Sequence, residues 1–114
     1  MADDQQAAEM PQQEQAGAGE VYTFARPVLF EGAEYKQITV DFDKLTGEDI
    51  LSSERQYRAD QSRNGGGSLA PEMDKAYQAI IVAKASGVHA GLIRAASAKD
   101  FTRLTLRARN FLLL

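Results

Sequence analysis

Apolar residues recur at helical spacing through the last third of the chain and alternate with polar ones earlier on. The series Met73, Tyr77, Ile80, Ile81 and Lys84 predicts a helix with apolar groups on one side, ending at Ser86-Gly87. Glycine there can take the left-handed conformation that closes a helix at no steric cost. A short piece, Val88 to Ala96, follows. Ser97 then offers a capping hydroxyl, with Asp100 three positions later as its acidic partner. From that cap Phe101, Leu104, Thr105, Ala108, Phe111 and Leu112 carry the helical period onward. These closing helices are expected to supply most of the core.

Upstream the period changes. Val21 to Phe24 and Val28 to Phe30 favour strand, with Pro27 between them marking an edge or a bulge. Glu31-Gly32 is a turn signal. Tyr35 to Phe42 then alternates, placing Ile38, Val40 and Phe42 on one face. This predicts a hairpin that must lay its apolar face on the helices, because an isolated hairpin is marginal in water. Thr46-Gly47-Glu48-Asp49 opens a helix with a capping hydroxyl and acidic residues in its first turn. Its apolar stripe is narrow (Ile50, Leu51, Tyr57), so the helix is expected on the surface of the core. Arg55, Arg58 and Arg63 alternate there with Glu54 and Asp60, as on a solvated face with local ion pairs.

The fold class that results is α+β: an N-terminal β-hairpin packed on a bundle of three to four α-helices, after a disordered N-terminal tail. The boundaries are a tail over 1–20 and a single domain over 21–114. Within that domain come a hairpin over 21–43, a helix over 47–62, a flexible loop over 64–70 and helices over 71–114. The tail assignment rests on Gln, Ala, Glu, Asp and Gly, which cannot bury enough to offset the entropy of ordering. Asn64-Gly65-Gly66-Gly67-Ser68 reads as a linker that lets two helices move apart. It lacks the Gly-Lys-Ser/Thr of a phosphate loop.

Composition narrows function more than it assigns it. At 114 residues the chain is one domain at most, and a formal net charge of −3 gives no general attraction to nucleic acid or to an anionic membrane. With no cysteine, neither disulfides nor thiolate metal sites are open to it. The start, Met1-Ala2-Asp3-Asp4, is too polar and acidic for a secretory signal. No run approaches the roughly 20 apolar residues of a membrane span. A cytoplasmic location is expected by elimination.

His89 is the single histidine, placed at a helix junction, and no metal-ligand spacing surrounds it. No Gly-x-Ser-x-Gly elbow occurs. Asp41/Asp43 and Glu48/Asp49 sit at a strand end and a helix start, where they have structural reasons to be. The reading is of a protein without enzymatic activity, cofactor or metal. What the chain offers is interaction surface: the hairpin edge, the tail, and the apolar end. Phe101, Leu104, Phe111, Leu112 and Leu114 are the candidate partner-binding residues. Arg94, Lys99, Arg103, Arg107 and Arg109 make the same segment basic, which keeps a DNA-binding regulator as a third reading.

The order of elements resembles the small tail assembly chaperones of tailed phages and prophages, above all the family found with Mu-like contractile tails. Phe24, Pro27, Gly32, Tyr35, Ile38, Gly87, Asp100, Phe111 and Leu112 are the matching positions, and the likeness covers about Tyr22 to Leu112. The resemblance implies a non-enzymatic helper in the bacterial host cytoplasm. Such a helper binds the tape-measure protein, keeps its apolar helices from aggregating, and assists tail-tube protein to polymerise around it. It implies absence from the finished particle, and in many members a second, longer form made by ribosomal frameshifting. It assigns no contact residues. The alternative is a small structural tail subunit, a connector or completion protein, assembling as a homo-oligomer through its hairpin edge.

Overall fold

The computed structural model describes residues 19–63 and 65–114. The expected disordered tail lies, but for its last two residues, outside this range. The chain begins with a hairpin, β1 (Glu20–Phe30) and β2 (Ala33–Val40), paired antiparallel with Tyr22 opposite Ile38 and Phe30 opposite Ala33. Two residues connect the strands. Glu31 has φ 50° and Gly32 φ 81°, so both sit in the left-handed region that a type I′ turn needs. Glycine takes this conformation freely and glutamate does not. Glu31→Asn is therefore expected to stabilise the protein by about 0.5–1 kcal/mol, read as a raised urea midpoint with unchanged slope.

The ladder is not regular. Pairing shifts register between Thr23 and Val28, so β1 bulges around Pro27. The alternation still places Tyr22, Phe24, Val28, Ile38 and Val40 inward, and all five are buried. Phe42, expected as the next strand residue on this face, instead opens a 3-10 turn, Phe42–Lys44, and is half-buried. Hydrogen bonding between Asp41 N–H and the Ala85 carbonyl at 2.9 Å ties the end of β2 to the helices.

Four helices follow: α1 (Gly47–Arg63), α2 (Lys75–Ser86), α3 (Ala90–Arg94) and α4 (Ala98–Leu113). At the start of α1, the Thr46 hydroxyl accepts from Asp49 N–H while the Asp49 carboxylate accepts from Thr46 N–H, a reciprocal cap. Only Ser53 and Tyr57 of α1 are buried, so it does lie on the outside of the core. Leu51 faces solvent, contrary to the stripe read from sequence.

The core sits around α2. Tyr77 to Ala83 and Ala85 are all buried, so this helix is enclosed on every side, not on one. Its sequence, apolar all round, is what a central helix requires. Met73 lies outside it, in a 3-10 turn over Pro71–Met73, and Lys84 reaches out to donate to the Ser52 hydroxyl. α2 closes as expected: Gly87 has φ 68°, and its N–H and that of Val88 satisfy the last carbonyls. No helix among the described residues is long and apolar enough to cross a membrane.

Candidate partner-binding surface

The polar groups inside the protein come first, because a buried charge is where chemistry would be sought. Asp100 is fully buried at the start of α4. Its Oδ1 accepts from the Tyr22 hydroxyl at 2.7 Å and from Ala25 N–H at 2.9 Å; its Oδ2 accepts from Arg26 N–H at 3.2 Å and from the Ser97 hydroxyl at 2.8 Å. The bulge in β1 turns two adjacent N–H groups toward this carboxylate. The Asp100–Ser97 partnership read from sequence is present, but three further donors come from a strand 75 or so residues away. Burial pushes the Asp100 carboxyl up, and the four hydrogen bonds more than offset it, so the group is held down at about 2. Burial, then the Asp100 carboxylate, pushes the Tyr22 phenol up. Arg107 lies over the Tyr22 ring, 5.1 Å from its centroid, and pairs with Glu20 at 2.8 Å.

A second network centres on Tyr57. Its hydroxyl donates to Asp74 Oδ2 and accepts from Ser68 N–H, each at 2.7 Å, while Asp74 caps α2 through Ala76 N–H. The glycine-rich segment is thus tethered at Ser68 to the side of α1, a link the glycines themselves did not announce. A Cβ on Gly67 would come within 3.1 Å of the Tyr57 hydroxyl and of Gln61, a tight fit that would push these side chains back by a few tenths of an ångström. Burial also lifts Tyr77, stacked edge-on against Tyr57 at 5.8 Å, to about 12.

His89 is exposed and structural. Its Nδ1 accepts from Gly91 N–H at 2.8 Å, capping α3, and its ring lies 5.7 Å from that of Phe30. Among the described residues no group of three or more His, Asp or Glu side chains is placed to hold a metal ion. Asp100, Tyr22 and Tyr57 are each spent on the hydrogen bonds that join one element to the next.

The surface therefore carries the candidate site. Two recesses of about 330 and 300 Å³ lie on either side of Ile80, between α1, α2 and α3. Ala76, Ile80 and Ala83 of α2 form an apolar floor, with Tyr57, Arg63 and Arg94 on the walls of the first and His89 beside the second. Charged side chains line both: Asp60, Arg63 and Arg94 the first, Lys84 the second.

The five candidate residues of the last helix do not form one surface. Leu104 has 0% exposure and is core, packed where α4 lies on α2, so it cannot meet a partner. Phe101 and Leu112 are half-buried against the same cluster. Phe111, 38% exposed, stacks on Phe42 with centroids 5.2 Å apart. Leu114 alone is open, at 99%. The structure adds Leu106, 47% exposed, which sequence reading passed over, and sets beside it Leu113, 43% exposed, a member of the apolar end. They stand seven positions apart, on the face of α4 opposite Leu104 and Ala108. The inward face, Leu104, Thr105 and Ala108, follows the period read from sequence; the heptad pair on the outer face was visible there too but was not singled out. No protein-family model matches the chain, and no curated protein or solved structure is detectably similar to it.

Proposed function

We propose that this protein is a non-enzymatic chaperone for phage or prophage tail assembly, which binds the tape-measure protein and assists polymerisation of the tail-tube protein. The observation that carries the reading is the outer face of α4. Leucines stay open to solvent on a helix whose other face already completes the core. Their heptad spacing along one helix face, more than their exposure, suits contact with a helix of another polypeptide. The notches flanking Ile80 offer a second place where side chains of an amphipathic helix can sit.

Co-expression with the neighbouring tail genes, followed by affinity capture, tests the proposal. Retention of the tape-measure or tube protein supports it, and capture of neither sinks it. A second reading, a structural tail subunit, is favoured by one feature: β2 pairs with β1 alone, leaving a strand edge open among the described residues. Stoichiometric presence in purified particles would select that reading over the chaperone.

A further inference from the structure

The outer face of α4 carries more than leucine. At about 100° per residue, Lys99, Thr102, Leu106, Arg109 and Leu113 fall on one stripe, with Arg103 and Asn110 along its side, and all seven are exposed. Leu106 and Leu113 are about 10.5 Å apart along that line at 1.5 Å per residue, the repeat of a seam between two helices. The charge on this face has one sign. No acidic residue occurs after Asp100, and Asp100 is buried among its own four donors. Arg107, on the flank, already holds Glu20. Lys99 and Arg109 have no ion pair among the described residues.

We infer that this stripe docks an amphipathic helix of a partner protein whose apolar line is bordered by Glu and Asp. The inference rests on the chaperone reading and gives its partner a chemistry. A second copy using the same face would bring two rows of Lys and Arg together with no acidic residue on either, and like charges across an interface oppose pairing. Nucleic acid would place phosphates against Leu106 and Leu113, which offer them nothing.

The test uses the full chain and a synthetic amphipathic peptide with leucines at heptad spacing flanked by glutamates, beside a counterpart flanked by lysines. Fluorescence anisotropy is expected to show binding of the glutamate peptide alone, weakening as salt rises. Backbone amide shifts should concentrate on α4. Leu106→Ala with Leu113→Ala, and separately Arg109→Glu, should each weaken binding about tenfold or more. Leu51→Ala on α1 should leave it unchanged. These positions are exposed, so circular dichroism melting curves should stay close to the parent's.

Equal binding of both peptides, no binding of either, or indifference to the α4 variants overturns the inference. So does duplex DNA shifting the same amides while the glutamate peptide does not, or a dimer in sedimentation that buries this face. Movement of α4 amides only on removal of residues 1–18, with their Asp3, Asp4, Glu9 and Glu14, would give the face to the chain's own start and overturn it too. The two readings fail separately. Tail proteins still captured by the Leu106/Leu113 variant would sink the face and leave the chaperone. Peptide binding without capture of tail proteins would do the reverse.

Discussion

Asp100→Ala is expected to be the most damaging single change outside the apolar core. It removes a fully buried carboxylate and orphans the Ala25 and Arg26 N–H groups, which have no rotation by which to find another acceptor. The Tyr22 and Ser97 hydroxyls lose their acceptor as well. Each donor left without its acceptor costs about 1–3 kcal/mol, so the two N–H groups and the two hydroxyls together cost about 3–5 kcal/mol, against a total near 5–15 kcal/mol for a domain of this size. That corresponds to a melting temperature lower by roughly 15–30 °C. Asp100→Asn should cost less, because one oxygen remains. Yet its amide would point N–H at N–H in the bulge, so the variant still falls well below the parent.

The same carboxylate sets a dependence on acid. It titrates at about 2 in the folded protein and near 4 in an unfolded chain. Between those values the unfolded state binds more protons. The contribution of Asp100 is therefore complete above about pH 4 and is lost as pH falls toward about 2. Urea denaturation of the parent and of Asp100→Asn should show a constant gap in stability from pH 5 upward, closing between about pH 4 and 2. A gap that persists unchanged to pH 2 would mean that the carboxylate is not what the four donors hold.

What the sequence disclosed and what it hid divide along the distance between cause and effect. The caps of α1 and α4, the closure at Gly87 and the hairpin turn at Glu31-Gly32 are decided by residues within a turn of one another, and each was legible. Asp100 was legible as a partner for Ser97, three residues away. Its larger role, receiving the β1 bulge, needed Ala25 and Arg26 brought across the fold. The tether from Tyr57 to Ser68 is of the same kind: a glycine run looks like a free linker until a hydroxyl from another turn of chain reaches its backbone. Enclosure of α2 was present in its composition, since Ala76 to Ala83 is apolar or small on every side but for Gln78. Gln78 is accommodated because its Nε2 donates to the Glu72 carbonyl at 2.9 Å.

The helical period gives Leu104 two readings at once, core and partner contact, and gives Leu106 none; the structure keeps only the first for Leu104 and leaves Leu106 in solvent. A period says that two faces exist; packing against α2 says which one is inside. Leu104→Ala is expected to leave a cavity where α4 lies on α2, costing about 3–4 kcal/mol with no polar group affected. Leu106→Ala, two residues on and about 200° round the helix, should cost almost nothing in stability, since alanine suits an exposed helical site. Binding should reverse that order. At a temperature where both variants are folded, Leu104→Ala should hold the glutamate-flanked peptide as the parent does, while Leu106→Ala should release it. Thermal melts and peptide titrations on the same two samples therefore separate the core face of α4 from its outward one. Loss of both properties in one variant would show that the two faces are not independent, and that the leucines left in solvent belong to the fold after all.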